Sequence, residues 1–325
     1  MGRAVMNIAM KDFEIGIKTK KFHITMALFI VLSLVMVYNS KRLGMNGELY
    51  RTPFQMLFLT GFSNAFNYSI ALLGVLLGGT TIAEEIENGT LKLVISRPVY
   101  RDEILFGKLV GSLLILGTAL SLFYVLTVAF ALIFGISVAK EDLIKFLATL
   151  PFSMLYGLVF LSLGLLVSTF IRKSRNALVM SIFLFVFFGF LLSIIAGVVA
   201  FALAGLPPVP NIPENAANLT EDQLQEMLLK DPAYQAWLTK LTITAERILY
   251  ISPNYHYQEI IRMIFGGKPK ISEIISALAY EGSIVEERPI AESLGLVWGN
   301  IVMLSVMSLL SLVVAYAKFI RVDLG

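Results

Sequence analysis

The run LVGSLLILGTALSLFYVLTVAFALIFGISVA, Leu109–Ala139, contains no Asp, Glu, Lys or Arg. About 20 apolar residues carry a helix across the hydrocarbon of a bilayer, so this stretch is more than long enough to cross it once. Uncharged runs also occupy Phe22–Ser40, Thr52–Ala83, Phe146–Ile171, Ala177–Leu206 and Ser293–Ala317. The pattern predicts six spans. The Thr52 run exceeds one crossing and contains Pro53 at its start, so its part up to about Ala65 is expected to be a short outer helix or re-entrant piece.

Composition points the same way. Hydrophobic residues make up 57% of the 325, charged residues 15%, and mean hydropathy is +0.79. A soluble domain carries about 25% charged residues, and a single soluble core stops growing near 250–300 residues. The expected fold class is an all-α polytopic membrane protein. A net charge of +3, with no long basic run, gives no footprint for nucleic acid. There is no Cys, which excludes disulfides, thiolate metal sites and cysteine nucleophiles. The first apolar run has no small-residue cleavage site after it and reads as a retained span.

An even number of spans puts both termini on one side, and the positive-inside rule chooses which. With the termini in the cytoplasm, fourteen basic residues flank the spans inside, against five in the two short outer loops. The expected organisation is an amphipathic interfacial helix at residues 1–21, spans one to five at 22–206, an external helical domain at 207–292, span six at 293–317 and a cytoplasmic tail at 318–325. In the N-terminal helix Met6, Met10, Phe13 and Ile17 form the apolar stripe. The external segment holds twelve acidic residues and three helix-start signals, at Thr220–Gln223, Asp231-Pro232 and Ser252-Pro253, and Gly266-Gly267 ends its last helix. Pro207-Pro208-Val209-Pro210 reads as a stiff entry linker.

Enzyme motifs are missing. A P-loop needs glycine where Asp102 stands, and Ser or Thr where Leu109 follows Gly107-Lys108. His23 and His256 are far apart in sequence, and the thirteen Met are scattered, so no metal site is expected. No span carries a charge at its centre, which argues against a proton or ion relay. Small-xxx-small pairs at Gly74/Gly78, Gly107/Gly111 and Gly295/Gly299 weakly favour close helix contacts.

The informative stretch is the loop from Glu84 to Lys108, between spans two and three. Span two is expected to run on as an acidic helix and stop at Asn88-Gly89, a good C-terminal cap. Thr90–Ser96 then reads as a short helix with Leu91, Val94 and Ile95 on one face, broken by Arg97-Pro98. Asp102 and Glu103 suit the positive end of the next helix. A helix lying along the membrane and a plain solvated hairpin fit this chemistry equally well.

Glu85-x-Glu87-x-Gly89-Thr90-Leu91, Ser96-Arg97-Pro98-Val99-x-Arg101 and Glu103-Ile104-Leu105-x-Gly107-Lys108 resemble the coupling loop of type-2 ABC transporter permeases, nearest to the six-span copper-enzyme-maturation branch. Ser252-Pro253-Asn254-Tyr255 is similar to that branch too. The resemblance implies a non-catalytic permease subunit in the cell membrane, paired with a second copy and with a cytoplasmic ABC ATPase. It implies no cofactor in this chain, ATP being bound by the partner only. It also implies export or flipping of a substrate that the sequence does not name. Glu84, Glu85, Glu87, Gly89, Thr90, Leu91, Val94, Ile95, Arg97, Pro98, Arg101 and Glu103 would form the ATPase-coupling surface. The alternative is an ATPase-driven mechanotransmitter or membrane scaffold acting on an extracellular partner.

Overall fold

The computed structural model describes residues 2–44, 62–90, 100–208, 227, 231–267 and 288–321. Outside them lie the expected outer piece before Ala65 up to residue 61, the coupling-helix residues 91–96, the capping signal at Thr220, and the last four residues. Among the described residues every regular element is a helix. In chain order the helices are α1 (Gly2–Ile17), α2 (Lys20–Gly44), α3 (Phe62–Gly79), α4 (Ala83–Glu87), α5 (Arg101–Ile133), α6 (Lys140–Phe170), α7 (Ser174–Val186), α8 (Leu192–Ala204), α9 (Pro232–Leu249), α10 (Pro253–Ile264) and α11 (Ile290–Ile320). A π-helical turn, Phe187–Leu191, joins α7 to α8. Among the described residues six helices are long and apolar enough to cross a membrane: Lys20–Arg42, Ala65–Glu87, Arg101–Ile133, Lys140–Phe170, Ser174–Ala204 and Ile290–Ile320. Each contains or largely overlaps one of the uncharged runs. The helices extend past the runs because charged end residues such as Arg101 and Lys140 continue the helix beyond the apolar stretch.

The tightest contact in the bundle is between α3 and α6. Built onto Gly74, a Cβ would stand 2.7 Å from Gly157 O, and on Gly164 it would stand 2.8 Å from Gly79 N. Gly78 meets the Leu161 backbone in the same way. Without side chains at these positions the two backbones touch, which is how small residues drive helix contact in lipid. Around this crossing the core is aromatic. Phe66 stacks on Phe123 at 3.9 Å, Tyr124 on Phe146 at 4.3 Å, and Phe29 meets Phe123 edge-on at 5.5 Å.

Of the other two glycine pairs, Gly107/Gly111 also marks a close contact. A Cβ on Gly111 would lie 2.9 Å from Ala9 O, so α1 packs side by side with the start of α5. The packed face of α1 carries Val5, Ile8, buried Ala9, Asp12 and Gly16, whereas Met6 and Met10 of the expected stripe are exposed. Backbone proximity to glycine, not the large side chains, chose the face. The third pair, Gly295/Gly299, has nothing within 4 Å.

The segment between spans five and six behaves differently from a free-standing external unit. Asp231 caps α9 by accepting from Ala233 N at 2.7 Å and Tyr234 N at 3.0 Å, as the Asp-Pro signal predicts. The Trp237 indole N–H donates to Gly205 O at 2.9 Å, so α9 starts at the far end of span five and runs back along α8. The Ser252 hydroxyl does not cap its own helix. It donates to Phe188 O, on the π-turn midway along span five, at 3.1 Å. A π-turn breaks the regular hydrogen-bond ladder and offers such a carbonyl. From there α10 packs against α11 and α6 with Tyr257, Ile260, Ile261 and Ile264 buried. The α9–α10 hairpin therefore reaches the middle of the bundle.

The α3–α6 crossing yields a direct test. Gly78→Ala forces two backbones apart and should cost about 1–3 kcal/mol, the usual penalty of overpacking. Gly299→Ala, which meets open space, should leave the thermal unfolding midpoint of the detergent-solubilised protein unchanged.

Candidate functional site

The loop between spans two and three leaves and re-enters the bundle through a compact charged platform. Span two bends at Thr80–Ile82, and the amides that the bend leaves open find a partner. The Ser168 hydroxyl, near the end of span four, accepts from Ile82 N at 2.8 Å and Ala83 N at 2.9 Å. The short α4 follows with Glu84, Glu85 and Glu87, and ends where expected. Asn88 is the C-cap and Gly89 takes φ +69°, the left-handed geometry that glycine adopts without a Cβ clash. Thr90 turns back to donate to Glu85 O at 3.4 Å.

Each acidic residue of α4 reaches a different helix. Glu84 pairs with Lys21 of α2 at 3.2 Å, with both side chains about half exposed, and Lys21 also donates to Thr80 Oγ1. Glu85 pairs with Lys108 of α5 at 2.7 Å, and Lys108 reaches Asp12 of α1 at 3.1 Å. Lys108 is only 7% exposed. The Glu87 carboxylate accepts from Ser174 N at 2.8 Å, capping the first turn of α7. At the far side of the loop, Glu103 accepts from Tyr100 N at 3.1 Å and closes the first turn of α5. Arg101 donates to Ile320 O at 2.9 Å and so caps the end of span six.

Of the twelve predicted site residues, Glu84, Glu85, Glu87, Gly89, Thr90, Arg101 and Glu103 gather on this platform. Leu91, Val94, Ile95, Arg97 and Pro98 lie outside the described residues. The carboxylates of Glu85 and Glu103 turn inward, Glu85 onto Lys108 and Glu103 onto the start of α5, while Glu84 and Glu87 stay on the exposed side, Glu87 capping α7. Sequence reading missed Asp12, Lys21 and Ser168 as partners. One signal was available: Lys108 stands between Gly107 and Leu109 inside an apolar helical turn, where a lysine needs a counter-charge.

A second polar cluster lies inside the bundle, where α10 meets α5 and α6. Tyr124 OH lies 2.7 Å from Thr149 Oγ1 and 2.8 Å from Ser153 Oγ, and Ser153 Oγ lies 2.6 Å from Tyr257 OH. Tyr156 stacks on Tyr257 at 4.4 Å and donates to Asn254 Oδ1 at 3.3 Å. His256 uses both ring nitrogens, Nε2 donating to Tyr250 O and Nδ1 facing Asn300 Oδ1, each at 2.7 Å. Polar groups of α10 thus have partners on spans four and six, which explains how so polar a helix is buried. No group of three or more His, Cys, Asp or Glu able to hold a metal occurs among the described residues.

The family model described as "ABC-2 family transporter protein" matches residues 6–324 of this chain. The chain belongs to the ABC-2 transporter family. It is a multi-pass membrane protein. It is also similar to the uncharacterized membrane protein YdbK of Bacillus subtilis (strain 168), with 27% identity over 124 residues, 37% of this chain and 50% of the relative. That match thus spans only about half the relative's own length. For this ABC-2 chain, the family match covers all six spans, the platform and the α9–α10 hairpin.

The buried triad makes a quantitative prediction. Removing Lys108 alone leaves Asp12 and Glu85 facing each other without a cation, and breaking a buried pair this way costs about 3–5 kcal/mol. Lys108→Met should therefore lower the unfolding midpoint sharply. Combining it with Asp12→Asn and Glu85→Gln should recover most of the loss, because no charge is then left uncompensated.

Proposed function

We propose that the protein is the permease subunit of an ABC exporter or flippase, built as a homodimer and driven by a separate cytoplasmic ATPase. It sits in the cell membrane with both termini in the cytoplasm, and ATP binds to the partner chain only. The observation that carries this reading is the family match over residues 6–324. The excess of basic residues on the side of the termini supports the orientation, and the missing P-loop fits an external energy source.

The platform suggests how the work would be done. A push on residues 88–100 acts on α4 and on the start of α5. From there it reaches span one through Lys21, α1 through Asp12, span four through Ser168, span five through Ser174 and span six through Ile320. In this proposal the ATPase seats the loop, with Leu91, Val94 and Ile95 as the apolar anchor and Arg97, Pro98 and Glu84 around it. The inward carboxylates transmit the movement rather than contact the partner.

Affinity purification of the tagged chain in mild detergent should bring down an ATPase with Walker motifs. Leu91→Ala should weaken that association by about 2 kcal/mol, the typical loss at an interface anchor. Gly89→Val should weaken it more than Gly89→Ala, because a β-branched residue fits the left-handed cap worst. Purification without any ATPase, or binding unchanged across these variants, would refute the coupling role.

Topology is checked separately. A tag between Glu214 and Asn218 should be reached by an impermeant reagent only from outside, and one after Gly325 only from inside.

A further inference from the structure

At the end of the bundle away from the termini, α6 and α11 begin side by side, and a cavity of about 320 Å³ opens between them. It is lined by Glu141, Ile144, Lys145, Arg288, Pro289 and Ile290. Lys145 is 8% exposed, yet it has no hydrogen-bond or ion-pair partner among the described residues. That contrasts with Lys108, equally buried at the other end, which holds two carboxylates. Taking an ammonium group out of water without a counter-charge is far costlier than burying a paired one. The same protein therefore builds one satisfied buried lysine and one that faces an open pocket.

The rest of the lining says what would satisfy it. Arg288 forms the opposite wall, with Nη1 reaching Gly267 O at 3.4 Å and Met263 Sδ at 3.7 Å. Glu141 is the one acidic group in the lining. It is exposed, one turn before Lys145, and does not pair with it. Two cations facing one cavity favour an anion with several acceptor oxygens. On the membrane side the cavity borders Ile144, and Leu147 one turn further along α6 is also exposed, so an apolar stripe leads from the pocket down the helix.

We propose that this pocket binds a phosphate oxyanion, carried on a lipid headgroup or free in solution, with Lys145 as its buried counter-charge and Arg288 as the second cation. The site is independent of the ATPase-coupling platform, so it stands or falls apart from the permease assignment.

The test uses the full-length protein in phosphatidylcholine nanodiscs, read by thermal unfolding. Phosphatidylglycerol is added to the discs in one arm, and inorganic phosphate is titrated into the buffer in the other. A rise in the midpoint in the lipid arm alone identifies a headgroup site, and a rise with inorganic phosphate identifies a site for the free anion. In either case Lys145→Gln should weaken the response at least about tenfold in ligand concentration, since a charge-assisted bond is lost. Lys145→Arg should keep it, Glu141→Gln should strengthen it by removing a repelling charge, and Lys318→Gln, at the opposite end, should leave it unchanged. Without added anion, Lys145→Met should be at least as stable as the wild type, because it removes an uncompensated charge. No midpoint shift in either arm, an equal shift in Lys145→Gln, or a marked loss of stability in Lys145→Met without anion would each overturn the proposal.

Discussion

Everything at the platform end of this bundle depends on two helices that cross with no side chains between them. At Gly74, Gly78 and Gly164 the backbones of α3 and α6 are in contact, and a single Cβ would have to displace main-chain atoms. In lipid there is little hydrophobic drive between helices, so such contact and its dispersion energy must supply the association. The crossing also fixes the register between the two helices. One turn beyond it, Ser168 meets the amides of Ile82 and Ala83, so span two can bend there without leaving two buried donors empty.

From that bend the acidic α4 spreads its contacts to one neighbour after another. Three bonds around the loop are made at helix ends, where open amides or carbonyls already need partners. Glu87 fills the N-terminus of α7, Glu103 that of α5, and Arg101 the C-terminus of α11. In the Asp12–Lys108–Glu85 group the lysine is buried and the two carboxylates are part-buried, and the value of the group is positional. It pins α1, α4 and α5 at one point that none of them would choose alone.

The α9–α10 hairpin poses the opposite problem, a polar segment inside an apolar bundle. Interhelical hydrogen bonds in membranes average about 0.6 kcal/mol each, too little to drag such a helix inward by themselves. Burial is tolerable because Asn254, His256 and Tyr257 have partners and the rest of the face, Ile260, Ile261 and Ile264, is apolar. The network of Tyr124, Ser153 and Tyr257 fixes where the hairpin sits more than how stable it is.

The sequence by itself determined the six spans, because a run without charge longer than the bilayer leaves a chain few alternatives. It also determined the glycine cap at Asn88-Gly89 and the Asp231 cap, since both are local and need no distant partner. The loop motif was enough to suggest the family that the full-length match then showed. What only the tertiary structure decided is how residues far apart in sequence meet. Glycine pairs read alike, yet two pack and Gly295/Gly299 does not, because packing depends on which neighbour arrives. The α1 stripe of large side chains was legible in the sequence, but the opposite, smaller face that packs on Gly107 and Gly111 was not, because that contact depends on α5 arriving there. Polarity gave no hint that α10 packs against spans four and six, since one sequence does not display the hydroxyls and amides on other helices that receive it. For the same reason Lys108 and Lys145 look equivalent as letters, and only the fold gives one its carboxylates and the other an open cavity.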